Sequence, residues 1–163
     1  MTVRNCADIG INAQYIIKRL LANQNLLKLL YYTDKDPLSH DDLTQEQIQT
    51  EIFSNFVKIV PRIGPKETAH SIIVLRIARG RGLISNKEFK NVMFSIETFV
   101  PQTQWIIKGT NLRPFAIMGE VQKSLNGKKI EGLGKISGGD FDLNFLSEEM
   151  TAYEQDFVLT SYD

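Results

Sequence analysis

The run Ser71-Ile72-Ile73-Val74-Leu75-Arg76-Ile77-Ala78 decides the fold class. β-Branched residues dominate it, and apolar side chains occupy both parities of the two-residue strand period. It is also short, so it reads as a central strand covered on both faces rather than as a half-buried one. Downstream, Arg79-Gly80-Arg81-Gly82 has the composition of a loop or hairpin tip. Val92, Phe94 and Ile96 then alternate with Met93, Ser95 and Glu97 in a second strand that runs to about Val100. Upstream, Phe56 to Val60 is a β-rich run closed by Pro61, with a break at Gly64-Pro65.

Helical patterning flanks these strands. Ala13, Ile16, Ile17, Leu20, Leu27, Leu30 and Tyr31 recur at three- and four-residue intervals, which predicts an amphipathic helix over 11–32. Asp34, Asp36 and Pro37 mark its end. Residues 39–51 are polar and acidic and read as a surface loop with a helical turn. A second helix is expected from Arg113 to Leu125, with Pro114 where a missing N–H costs little and Asn126-Gly127 as its stop. Two further strands are expected at Ile130 to Ile136 and Tyr153 to Tyr162, with a loop from Gly138 to Met150 between them. The fold class is therefore α/β (α+β): a mostly antiparallel sheet of four to five strands, with an N-terminal helix and a second helix packed on it. The whole of 1–163 is expected to be a single domain.

Composition narrows the function classes. Nineteen basic residues balance nineteen acidic ones, so no global electrostatic footprint for nucleic acid or anionic lipid is present. A single cysteine, Cys6, leaves no partner for an internal disulfide and no thiolate-rich zinc site. The first residues, MTVRNCADIGINAQY, do not resemble a signal peptide, and no apolar run is long enough to span a bilayer. The expectation is a protein that folds in a reducing cytoplasm.

Candidate chemical motifs fail on inspection. Gly132-Leu133-Gly134-Lys135 suggests a phosphate loop, but Lys129 stands where a P-loop has its first glycine and Ile136 where it has Ser or Thr. Asp140, Asp142 and Asn144 begin like an EF-hand. Phe145 then occupies the required glycine position and Thr151 that of the bidentate glutamate. Glu148 and Glu149 complete an acidic stretch that reads as solvated, and Glu88-Phe89-Lys90 does not make a two-metal nuclease. His70 is next to Ser71, but strand neighbours point to opposite faces. Cys6 has only Arg4 nearby. No catalytic, cofactor or metal residue is assigned.

Arg76, Arg79, Arg81, Lys87 and Lys90 gather around the hairpin between the two strong strands. They are the candidate partner-binding residues, suited to an acidic partner or to passing DNA whose phosphates they would neutralise without reading sequence. No aromatic interleaves them, so base stacking is not indicated.

Four blocks resemble the tail terminator (tail completion, neck) proteins of long-tailed bacteriophages. They are Lys28-Leu29-Leu30-Tyr31-Tyr32 with Asp36-Pro37-Leu38-Ser39; Lys58-Ile59-Val60-Pro61-Arg62 with the Ile72 to Ile77 strand; Leu112-Arg113-Pro114-Phe115-Ala116-Ile117-Met118 through Leu125-Asn126-Gly127 to Gly132-Leu133-Gly134; and the Tyr153 to Tyr162 strand. The resemblance implies a non-enzymatic virion protein, made in the host cytoplasm. It would form a ring, typically a hexamer, that caps the tail tube and ends its polymerisation. Its partners would be its own copies, the tube protein, the head–tail connector proteins and the genomic DNA in the lumen, with no membrane and no cofactor. The Arg79-Arg81 hairpin would face the lumen or the tube. The rival classes are another head–tail connector protein, a nucleic-acid-binding α/β module using that hairpin, and a metal-dependent hydrolase working through the Asp140 to Glu149 loop.

Overall fold

A computed structural model describes residues 6–59, 69–82, 89–130 and 134–160. The chain opens with helix α1 (Cys6–Leu21) and helix α2 (Gln24–Tyr31). These are two helices where the periodicity predicts one, and Asn23 is the cause. Its side chain accepts from the Leu26 N–H, capping α2, a role for which Asn is among the best residues. Its Nδ2 donates to the Glu120 backbone carbonyl and to Ser124 Oγ at 2.9 Å, which pins the break to a later helix. Leu26, Leu27, Leu29 and Leu30 of α2 are all fully buried, as expected of a helix enclosed on several sides.

Short helical pieces follow. They are a 3-10 turn (Pro37–Ser39), α3 (Gln45–Gln47), a π-type turn (Ile48–Ile52) and α4 (Phe53–Asn55). Thr44 and Gln47 form a capping box that starts this segment inside the expected acidic loop.

The strands are β1 (Val57–Lys58), β2 (Ile72–Gly82), β3 (Phe89–Pro101), β4 (Ile106–Ile107), β5 (Asn111–Leu112), β6 (Lys129–Ile130), β7 (Gly134–Leu146) and β8 (Met150–Thr160). Helix α5 (Arg113–Leu125) lies between β5 and β6. Six strands form one sheet in the order β1-β2-β3-β8-β7-β6, and β4-β5 make a separate ribbon. The main sheet is mixed, because β1 runs parallel to β2 while every other pairing is antiparallel. The architecture is thus α+β and the sheet mostly antiparallel, with six strands in place of the expected four to five and one parallel pairing at its edge.

Four further corrections have local causes. The 71–78 run is not central; β2 has only the two-residue β1 on its outer side. The Arg79-Gly80-Arg81-Gly82 stretch is strand rather than hairpin tip, paired against Met93, Val92, Asn91 and Phe89. Residues 138–146 are strand rather than loop. Phe56 ends the α4 turn, so the expected Phe56 to Val60 strand shrinks to Val57–Lys58. Val60, Pro61, Arg62, Gly64, Pro65, Lys87, Gly132, Leu133 and Tyr162 lie outside the described residues.

The core forms between the helices and one sheet face. Phe94 and Phe157 stack across β3 and β8 with ring centroids 5.5 Å apart. Ile73, Leu75, Ile96 and Val100 share the buried cluster with Leu20, Ile117, Val121 and Leu125 from α1 and α5. α5 ends where expected, with Asn126 as cap and Gly127 at φ +72°.

Candidate functional site

The opposite sheet face carries the charges. Register puts Arg76, Arg79 and Arg81 of β2 level with Ser95, Met93 and Asn91 of β3. Ser95, Glu97, Glu154, Asp156, Asp142 and Asp140 then continue that face across β8 and β7. Arg76 is committed within the chain. Its Nη1 lies 3.1 Å from Glu97 Oε1 and its Nη2 donates to Glu154 Oε1. Glu97 is buried and also accepts from Asn144 Nδ2 at 2.8 Å. A carboxylate buried without such partners would be costly. Burial would raise the Glu154 carboxyl, but the bonds from Arg76 and Ser95 outweigh it and hold it below its ordinary range.

The other expected binding residues fare differently. Arg79 is exposed and makes no ion pair with a described residue. Arg81 and Lys90 sit in β2 and β3 respectively, and Lys87 lies outside the described residues. The structure therefore brings Arg76 and Arg79 onto one face but diverts Arg76 into a structural network, while Arg81 is placed only by its register opposite Asn91.

The second notable surface is the outer edge of β7. β6 pairs only with Gly134 and Lys135, so from Ser137 onward the edge has no described strand beside it. Along it Phe141, Leu143, Phe145 and Leu146 are 52 %, 53 %, 50 % and 65 % exposed. Phe141 leans on α5 through Phe115, whose ring centroid is 6.0 Å away, and Tyr153 fills in beside both. Long apolar edge strands of this kind template pairing with another chain. The sequence signal was present: in Asp140-Phe141-Asp142-Leu143-Asn144-Phe145, polar and apolar residues alternate with period two.

Negative charge is concentrated beside that edge. Asp156 is raised above the ordinary carboxylate range, chiefly by burial and then by Glu154, Asp142 and Asp140, with Arg76 opposing. A raised folded-state value means that ionised Asp156 costs the fold stability at neutral pH, and the cost vanishes once pH falls below the unfolded value. Asp156→Asn is expected to raise the melting temperature at pH 7. Because the group is exposed, solvent screening holds the gain to no more than about 1 kcal/mol. The gain should shrink as pH drops towards ~4. Thermal melts of both chains across that range check this, and a gain that grew on acidification would contradict it.

The remaining candidates read as structural. His70 packs its ring against Phe56 at 4.9 Å. Among the described residues no group of three or more His, Cys, Asp or Glu is placed to hold a metal ion, and no helix is long and apolar enough to cross a membrane. The residue that composition and motif reading missed is Arg113, whose charged side chain is completely buried at the start of α5. Its role is internal, as its bonds to backbone carbonyls make plain.

A family model described as YomW matches residues 23–158 of the chain. No curated protein matches it.

Proposed function

The chain belongs to the YomW family, a family of phage-derived, Bacillus prophage-type proteins, and on that premise we propose that it is a structural protein of the phage neck. In this reading it forms a ring, a hexamer by the resemblance described above, that caps the tail tube, ends its polymerisation and joins it to the head connector. The reading assigns it no catalysis and no cofactor, and places it in the virion. A neighbouring head–tail connector or completion protein is the close variant.

The observation that carries the reading is the β7 edge. Four large apolar side chains, each at least half exposed, line a strand whose outer backbone groups have no described strand partner beyond Lys135. A chain that stayed alone would keep an aggregation-prone edge open. Subunit assembly covers such an edge, and head-to-tail contacts that close on themselves give rings.

Negative-stain electron microscopy tests this, on the full chain alone and mixed with the tube protein of its own phage. Rings, or tubes capped at one end, are expected. Isolated particles that leave tube growth unchanged would overturn the proposal.

A further inference from the structure

The two long edges of the sheet are complementary. β7 presents Asp140 and Asp142, both exposed, on the same face as the Asp156 and Glu154 of its neighbour β8. Arg76 is the cation that face offers among the residues paired to them, and it is already shared between Glu97 and Glu154. The opposite edge belongs to β2. Beyond Val74, where β1 stops, it has no described strand beside it and carries the exposed Arg79 on that same face, with Arg81 two positions further along the strand. One edge is acidic and unneutralised; the other is basic.

Strand directions allow the two edges to meet. β2 and β8 run one way, β3 and β7 the other. Copies related by rotation about an axis to which the strands are moderately tilted therefore bring β7 of one antiparallel to β2 of the next. The alternation of the four long strands continues across the boundary, with the charged face on the same side throughout.

We infer that β7 of each copy adds antiparallel to β2 of the next copy, in the register that sets Asp140 beside Arg81 and Asp142 beside Arg79. The same register puts Phe141 level with Gly80 and Leu143 at the bulge that Ala78 makes in β2. It uses only the parts of the two strands that β1 and β6 leave open. Asp142 is level with Glu97 of β3, and Arg79 with Met93, so neighbouring copies are offset by four residues along the strands. Four residues of offset over four strands correspond to a strand tilt of roughly 35°, within reach of the tilt at which sheets close on themselves. This inference rests on the ring reading and specifies its contact.

Two variants of the full chain test it: Asp140→Arg with Asp142→Arg, and Arg79→Asp with Arg81→Asp. Each alone faces like charge with like charge at every junction. Mixed one to one, they restore opposite charges at every junction of an alternating ring. Particle size by light scattering and micrographs with the tube protein are the readouts. Assembly by the wild type, loss in each variant and recovery in the mixture are expected. If both variants assemble as the wild type does, the ring stands and this contact is wrong. Loss in each variant without recovery in the mixture rejects the register. If the variants cap tubes no longer while the wild type is a monomer and the mixture recovers nothing, the edge meets the tube protein and the inference fails. Wild type that assembles under neither condition overturns the ring reading itself.

Discussion

Replacing Arg113 by Met is expected to remove about 3–5 kcal/mol of stability, since buried carbonyls left without donors cost about 1–3 kcal/mol each, and for a chain of this size this lowers the melting temperature by roughly 10 °C. The side chain has no exposure at all. Its Nε donates to the Gln104 carbonyl at 3.0 Å, its Nη1 to the carbonyls of Leu29 at 2.8 Å and Tyr32 at 2.6 Å, and its Nη2 to that of Asp34. Burial pulls its basicity below that of a free arginine and the charge of Asp34 pushes back, yet a guanidinium stays protonated under any ordinary condition. Leu29 and Tyr32 lie at the C-terminal end of α2, where carbonyls have no partners within the helix and the macrodipole is negative. Arg113 therefore satisfies the end of α2 from the first turn of α5 and fixes the two helices together. Methionine fills much of the volume but leaves these carbonyls buried without donors. Lysine keeps the charge yet lacks the planar fork, so Arg113→Lys should recover less than half of the loss. Urea unfolding with an unchanged slope checks both. A loss below about 1 kcal/mol in Arg113→Met would show that water replaces the guanidinium.

How much of this was legible follows from which signals are local. The alternation of Val92, Phe94 and Ile96 identifies β3 and its core face, with all three buried, although Ser95 and Glu97 on the other face are buried as well. Pro114 and Asn126-Gly127 bracket α5 correctly because capping depends on a few adjacent residues. Asn23 was not recognised as a cap, since its effect on α2 is reinforced by bonds to Glu120 and Ser124, far away in sequence. Arg113 sat inside one of the blocks that carry the tail terminator resemblance, and nothing in its neighbourhood marks it as buried; its acceptors come from positions 29, 32, 34 and 104. The basic cluster was visible as composition, but the diversion of Arg76 to Glu97 and Glu154 depends on strand order, which composition does not encode.

The β7 strand is the instructive case, because two readings competed for one stretch. The spacing Asp140-x-Asp142-x-Asn144 draws attention to cation ligands, while the residues between them, Phe141 and Leu143, carry the strand signal. Gly138-Gly139 just before it argues for a loop, since paired glycines usually punctuate. In the sheet these glycines instead form a bulge, with the register shifting between Gly138 and Asp140. That shift decides which parity faces the helices. With it, Phe141 and Leu143 lie on the α5 side and Asp140 and Asp142 on the charged face. Without it the two sets would exchange, because the side-chain period is two.

Gly138→Ala is accordingly expected to cost about 3 kcal/mol or more and to act on β7 selectively. Gly138 has φ +133°, a backbone state that side-chain-bearing residues rarely adopt. A Cβ there would lie 2.5 Å from the Asp156 carbonyl oxygen and 2.9 Å from the Phe157 Cα. Both obstacles are backbone of β8, so no rotamer change relieves the clash; one strand must move away from the other. Gly139 provides the contrast. It has φ +111°, but its added Cβ would meet the end of the Gln122 side chain, which can swing aside. Gly139→Ala should therefore cost only the backbone strain, on the order of 1–2 kcal/mol. Amide hydrogen exchange separates the local effect from a global one. In Gly138→Ala, protection should fall along 140–146 and in their β8 partners while β2 and β3 stay protected. Because Asp140 to Leu146 form the assembling edge in the inference above, the same variant should also lose ring formation at a temperature where its β2–β3 core is intact. Equal loss of protection in all four strands would mean instead that the sheet unfolds as one unit and that β7 has no stability of its own to lose.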